Sequence, residues 1–312
     1  MNLFPYDSKF DFMAWRKASL GIAIALLIIA VGALATRGLN FALDFTGGTL
    51  VELKFDQEAD VGELREKLEA AGFENAVVQT FGASNDIIVR LKTVEGQVNA
   101  DKTGASVLEA VASAENQAKL TRSDFVGPQV GKELADQGVI AVIFVAFGFL
   151  LYISVRFEWK FAIAAILATM HDVIICTGYF SVTGKEFDLN VLAGILSVMG
   201  YSINDTIVVF DRVRENFRSL HRVEAYEVLN RSVNQTLSRT IITSFVALLT
   251  VLALYFFGGA GLKGMAESQI IGIVIGTLSS IFVACPLLLW LGTTRVDLLP
   301  RAKDESDLAR RP

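Results

Sequence analysis

The chain has 312 residues, of which 53% are hydrophobic and 20% charged, with a mean hydropathy of +0.48. So apolar a composition excludes a disordered chain, and a formal net charge of −5 excludes the basic surface of a nucleic-acid binder. Its two cysteines, Cys176 and Cys285, both lie in apolar runs, which excludes a disulfide scaffold.

The first 17 residues are a short charged lead. An apolar run at 18–36 follows, long enough to cross a bilayer core of about 30 Å, which takes about 20 helical residues. Ala33-Leu34-Ala35 has the look of a signal-peptide cleavage site. The run is longer than a signal core and starts late, so it reads as an uncleaved anchor.

Residues 37–137 hold ten basic and 17 acidic residues and read as one soluble domain outside the membrane. Asp44-Phe45-Thr46-Gly47-Gly48-Thr49 marks its start, and the paired glycines read as a tight turn into a strand. Thr49 to Phe55 alternates as a strand. Asp60 to Ala71 is a helix with Val61, Leu64 and Leu68 on one face, closed by Gly72. Ala76 to Phe81 and Asp86 to Leu91 are two strands joined by a turn at Gly82-Ala83-Ser84-Asn85. Ala105 to Gln117 is a second helix and Leu120 to Val126 a last strand. The predicted order β-α-β-β-α-β is that of an α+β ferredoxin-like domain.

Five more apolar runs follow, at 138–155, 161–183, 189–210, 240–257 and 269–292, for six predicted transmembrane helices in all. Lys and Arg collect in the N-terminal lead, the 156–160 loop, the 211–239 segment with its six arginines, and the 293–312 tail. The two short opposite loops hold only Lys185 and Lys263. Both termini are therefore expected in the cytoplasm, with 37–137 on the far side. Val213, Phe217, Leu220, Val223, Val228 and Leu229 alternate with arginines through 211–239, which reads as a cytoplasmic amphipathic segment lying at the membrane surface.

Two carboxylates fall inside apolar runs. Such groups are costly, about 2.5–3.5 kcal/mol on insertion scales, and usually serve a pathway. Asp205 ends a polar, small-residue stripe formed by Asn190, Gly194, Ser197, Tyr201 and Asn204 at helical spacing. Asp172 shares a face with Thr169 and Cys176. His171 beside it need not act with it, since adjacent residues do not share a helix face. Asp172 reads equally as a structural hydrogen-bonding group and as part of a pathway. Arg239 opens the fifth run and, taken alone, reads as a positively charged anchor. Gly272 and Gly276 read as a close helix contact, and the charged tail as disordered.

The Asp44–Thr49 motif, His171-Asp172, the run Gly200 to Thr206 with Asp211-Arg212 and Arg214-Glu215-Asn216, Gln235 to Thr240, and Phe257-Gly258-Gly259 together resemble the SecF family of the bacterial Sec protein-export machinery. The resemblance runs from Leu43 to Leu291, and its most specific part is Gly200–Asn216. It implies a multi-pass chain of the bacterial inner membrane that pairs with SecD as half of a transporter of the resistance-nodulation-division type. It implies a non-enzymatic role, in which proton motive force assists preproteins leaving the SecYEG channel. SecA and YajC are implied associates. It places a proton-relay role on Asp205 and an essential arginine on Arg239; Asp172 and His171 stand beside them as secondary candidates from their place in an apolar run. No metal, nucleotide or organic cofactor is expected. The alternatives are a half-transporter for a small solute, a translocase scaffold without proton coupling and, against its motif context, an intramembrane aspartyl protease using Asp172 and Asp205.

Overall fold

The computed structural model describes residues 9–74, 76–81, 83–91, 100–112, 116–220, 223–294 and 297. It divides into two compact units, one of residues 1–40, 142–185 and 190–312, the other of residues 41–141 and 186–189. In chain order the elements are α1 (Arg16–Thr36), β1 (Asn40–Phe41), α2 (Leu43–Thr46), β2 (Gly48–Phe55), α3 (Val61–Ala70), β3 (Val77–Phe81), β4 (Ala83–Leu91), α4 (Ala100–Val111), β5 (Ala118–Val126), α5 (Pro128–Arg156), α6 (Trp159–Thr183), β6 (Glu186–Phe187), α7 (Leu189–Ser219), α8 (Ala225–Phe257), α9 (Ala260–Ser279), a π-helical segment (Ser280–Ala284) and α10 (Cys285–Trp290).

In the helical unit, six helices among the described residues are long and apolar enough to cross a membrane. α6, α7 and the α9–α10 rod form the interior, while α1, α5 and α8 turn apolar side chains such as Ile28, Phe144 and Phe256 outward. Outward apolar faces are what lipid accepts. α1 sits tight on α6, because Gly178 leaves no room for a Cβ beside Ala30. The Ser181 hydroxyl of α6 donates to Gly38 O just past α1 at 2.7 Å, and Ser19 of α1 donates to Phe282 O of the π segment at 2.9 Å.

The helices run well past their apolar stretches. The 211–239 segment expected at the membrane surface is mostly helix, since α7 continues to Ser219 and α8 starts at Ala225. Val213, Phe217, Val228 and Leu229 are buried against Phe157, Phe161 and Phe210, with Leu220 and Val223 packed on that core. The periodicity fits an interfacial face, but the two helix extensions bury it in one shared core. Arg156–Asp211 and Arg214–Glu158 ion pairs and the Asn216 amide, which donates to Ser232 Oγ and Gln235 Oε1, tie the same end together. Residues 9–15, which carry no motif, are held to α8 by Asn230 Oδ1, which accepts from Phe12 N at 2.8 Å, and by Asn234.

The second unit carries one four-stranded antiparallel sheet in the order β3-β4-β2-β5, with the element order β-α-β-β-α-β. β2 and β4 are the two inner strands; β2 turns Val51, Leu53 and Phe55 to the core and leaves Glu52 and Lys54 on the other face, and it pairs Val51 with Val89 on one side and Ser123 on the other. Leu53, Phe55, Leu64, Leu68, Val78, Ile87 and Val107 fill the space under α3 and α4. Asp60 caps α3 by accepting the Gly62 and Glu63 N–H groups. β4 starts at Ala83, so the turn expected over Gly82–Asn85 is shorter than its sequence suggests; Gly82 lies outside the described residues, as does part of the predicted end of the second helix.

Candidate functional site

α7 crosses the middle of the helical unit. Asp205 lies 16 residues along it, ~24 Å from its start at 1.5 Å per residue, and is 5% exposed. Each carboxylate oxygen has one hydroxyl donor. Thr240 Oγ1 of α8 donates to Oδ1 at 2.8 Å, and Ser280 Oγ donates to Oδ2 at 2.5 Å. Hydrogen bonds to an ionised group are the strong ones, at ~1.5–3 kcal/mol each.

Asp172 of α6 is fully buried. Its Oδ2 accepts from Ser202 Oγ of α7 at 2.5 Å and from Ser279 Oγ at 2.6 Å. His171 Nδ1 lies 2.9 Å from its Oδ1. Adjacent helical residues need not meet, but here the imidazole reaches around the helix to the adjacent carboxylate. Cys176, on the same face as Asp172, donates to Ser268 O at 3.4 Å.

Ser279 and Ser280 are consecutive, yet they serve different carboxylates on different helices. Consecutive α-helical positions point about 100° apart. The π segment begins at Ser280, and insertions of this kind recur at functional sites.

A second hydroxyl tier lies one turn from the first. Tyr201 Oη donates to Ser244 Oγ at 2.7 Å, and Ser244 pairs with Thr277 Oγ1 at 2.7 Å. Thr277 itself donates to Ile273 O at 2.6 Å, so Ser244 is the donor of that pair. The predicted stripe is thus split. Tyr201 and Asp205 face α8 and α9, and Asn190 donates to Gly261 O, whereas Ser197 and Asn204 are exposed. Asn204 lines an open cleft of about 490 Å³ with Phe144, Gly148, Tyr152, Gly200 and Ile207. Arg239 is also exposed, and no ion pair within 4.0 Å joins it to Asp205.

Beyond these tiers α7 and α9 touch without a gap. A Cβ on Gly194 would fall 2.0 Å from Ser268 Oγ, one on Gly272 2.1 Å from Val198 Cγ2, and one on Gly276 3.2 Å from Ser202 Cβ. At the end of this contact the Glu267 carboxylate accepts from Tyr179 Oη at 2.6 Å and pairs with Lys185. Burial would lower the Lys185 ammonium, but the hydrogen bonds to Glu267 and Tyr179 outweigh it and hold the group above its ordinary range. Glu267 was missed in the sequence because it stands just ahead of the apolar run read from 269. Among the described residues, no three His, Cys, Asp or Glu side chains gather as a metal site would require.

The Asp44–Thr49 motif belongs to the second unit. Gly47 and Gly48 have φ of +66° and +128°, and a Cβ would meet Pro128 Cα at 2.9 Å and Leu91 O at 2.4 Å. No other residue fits that turn. Asp44 Oδ2 accepts the N–H of Leu189 at 3.2 Å, placing an anion at the first residue of α7. Phe45 packs on Phe41 and Phe187, with ring centroids 5.7 and 6.2 Å away. Arg90 of β4 pairs with Glu186 and donates to Phe41 O, and burial pulls its guanidinium below its ordinary range.

Residues 106–294 match the family described as protein export membrane protein SecD/SecF, C-terminal, and residues 32–59 match the SecD/SecF GG motif. The chain is 48% identical over 298 residues to the protein translocase subunit SecF of Pseudomonas aeruginosa, covering 95% of this chain and 96% of the relative. It is 44% identical to the SecF of Escherichia coli O157:H7, covering 97% and 94%. The crystal structure of SecDF, a translocon-associated membrane protein from a Thermus species, aligns with a TM-score of 0.83 and 38% identity. That alignment covers 93% of this chain, which spans 40% of the SecDF chain.

Proposed function

Since the chain belongs to the SecF family of protein translocase subunits and serves protein export, we propose that it couples the proton motive force to that export, with Asp205 as the proton-carrying group. The observation that carries the reading is a buried carboxylate within the apolar run of a membrane helix, held by two neutral hydroxyls, with no cation in contact. A permanent structural charge would be expected to keep a partner charge, because leaving it alone in the interior is expensive. A carboxylate held by hydroxyls can be satisfied both with and without a proton.

In this reading both termini are cytoplasmic and the sheet-bearing unit is periplasmic. Its strand order β3-β4-β2-β5 with two covering helices supports a ferredoxin-like assignment. The partner is a SecD chain supplying the other half of a resistance-nodulation-division type transporter, consistent with the greater length of the solved SecDF chain. SecYEG, SecA, YajC and the emerging preprotein are the further associates. The chain acts as an energy-coupling subunit and not as an enzyme.

A proton enters from the periplasmic side and neutralises Asp205. The hydroxyl contacts to α8 and to the Ser280 position then lose their ionic component, so the α7–α8–α9 packing favours a second arrangement. Arg239, adjacent to Thr240 and exposed, is the cation that can approach Asp205 as it ionises again. One charge crossing 100 mV supplies about 2.3 kcal/mol, enough to shift an equilibrium between two packings some fifty-fold.

The test is preprotein export into inverted membrane vesicles lacking native SecF. Adding this chain with its SecD partner is expected to restore a gain in export that appears only when a proton gradient is imposed. Restored export that ignores the gradient would turn the reading into that of a scaffold, and a solute-dependent proton flux without SecYEG into that of a small-solute transporter.

A further inference from the structure

We propose that Asp172 is a second proton carrier of this chain, in series with Asp205, and that Ser279 and Ser280 are the positioning residues that link them; the proposal rests on the relay reading above. Asp172 is fully buried, and no Lys or Arg lies within ion-pair distance of it among the described residues; its one ionisable contact is His171. A structural role needs no acid here. An asparagine could accept both serine hydroxyls through one oxygen and donate to His171 Nδ1 through its amide, without the cost of a buried charge.

The two serines are built to serve either protonation state. Ser279 Oγ has a second acceptor on its own helix, Gly276 O at 3.2 Å, and Ser280 Oγ has Thr277 O at 3.0 Å. When a proton binds Asp172, the new carboxyl O–H donates to Ser279 Oγ, and the serine hydrogen turns to Gly276 O. The same exchange operates at Asp205 with Ser280 and Thr277 O. The carboxyl O–H forms as an O–H of the incoming hydronium breaks and releases water; within the protein no covalent bond breaks, and no polar atom is stranded. Gly276 and Thr277 are consecutive, as are Ser279 and Ser280, so the two exchanges act on one turn of α9 at the start of the π segment.

The order follows from the helix directions. Ser202, the α7 partner of Asp172, precedes Asp205 by three residues, ~4.5 Å along the helix. A proton arriving from the periplasmic end of α7 therefore meets the level of Asp172 first. On the other side of this level are two hydroxyls, Thr169 Oγ1, one turn before Asp172 on α6, and Thr206 Oγ1, one turn after Ser202 on α7. Both are buried without a hydrogen-bond partner, as is His171 Nε2. Unused buried donors on facing helices are places that water satisfies. The titratable and charged groups around the pair are His171 and Cys176 on α6, Asp205 on α7, Arg239 on α8 and Cys285 after the π segment; α1 has none between Lys17 and Arg37.

The experiment is an infrared difference titration of the full chain reconstituted with its SecD partner, following protonated-carboxyl bands with pH. The wild type should show one band lost in Asp172→Asn and another lost in Asp205→Asn. Asp172→Asn should also move the midpoint of the remaining band by about one pH unit, as coupled sites do. Ser279→Ala, which leaves both acids in place, should shift the frequency of the Asp172 band and weaken gradient-driven export. Bands unchanged by Asp172→Asn, or an Asp205 midpoint that stays put, would overturn the proposal while leaving the single-carboxylate relay intact. The relay itself fails separately, if Asp205→Asn keeps gradient-driven export. Should Asp172→Asn not assemble, the Ser279→Ala band shift decides: an unmoved band overturns the link.

Discussion

Thr240 Oγ1 stands 2.8 Å from Asp205 Oδ1, whereas Arg239, the residue before it, is exposed and out of ion-pair reach of Asp205. The fifth membrane helix therefore meets the buried acid through a hydroxyl and keeps its cation outside. A guanidinium in contact would hold Asp205 ionised. A threonine leaves both protonation states open, and the proposed cycle needs both.

Removing that hydroxyl without changing shape isolates its contribution. Thr240→Val should cost ~1.5–3 kcal/mol, the value of a hydrogen bond to a charged group, whenever Asp205 is ionised. Gradient-driven export should fall about tenfold or more while the variant still assembles with SecD. Export at the wild-type rate would show that the contact is incidental. Ser280→Ala should behave alike.

The α7–α9 contact depends on absent side chains. Gly272→Ala places a methyl 2.1 Å from Val198 Cγ2 and should lower the melting temperature of the detergent-solubilised protein, since overpacking a tight core costs ~1–3 kcal/mol. Val198→Ala in the same chain should restore most of the loss. Gly148→Ala, with nothing within 4 Å of its Cβ, is the control expected to be near neutral. Equal effects at Gly272 and Gly148 would contradict the close packing.

Gly48 combines φ of +128° with a Cβ position 2.4 Å from Leu91 O, a backbone atom that cannot step aside. Gly48→Ala should open the β2–β4 pairing and make residues 41–141 sensitive to protease at concentrations that spare the wild type. Gly72→Ala, with positive φ but open space, should cost only the ~1–2 kcal/mol of a left-handed residue. Comparable protease sensitivity in the two would refute a steric role for Gly48.

Glu52 gives a pH dependence outside the membrane segments. Burial in the sheet raises its carboxyl above the usual range, and Arg122 only partly offsets this. A raised group binds its proton more tightly when folded, so its stabilising share is full at low pH and is lost as pH rises through the folded value. Glu52→Gln should therefore protect residues 41–141 in hydrogen exchange at pH 7, by less than ~1 kcal/mol for a partly solvated group. The advantage should vanish near pH 4. Protection that grows on acidification would reverse the assigned sign.

Much of the architecture was legible in the residues. Alternation set β2, Asp60 marked the start of α3, and six apolar runs marked the six long helices. The helix ends were not legible, because residues 211–239 bury their apolar positions in a neighbouring extension and not in lipid; periodicity reports a buried face but not what covers it. Within the site, Asp205 and Asp172 stood out as acids in apolar runs. Ser279 and Ser280 did not, since serine is common where membrane helices pack closely. They serve two different acids where the π segment begins, and no residue pattern in 279–285 announces that segment. The same limit explains His171: helix-face spacing separates it from Asp172, and the reach of an imidazole joins them.

The most direct test of proton coupling compares this chain with its Asp205→Asn variant in vesicles lacking native SecF, with and without an imposed proton gradient. The amide keeps the size of the side chain and an oxygen for one of the two hydroxyls, so assembly with SecD should persist. The account predicts that the gradient accelerates preprotein export for the wild type alone. Equal acceleration in both would contradict it and leave Asp205 a structural group.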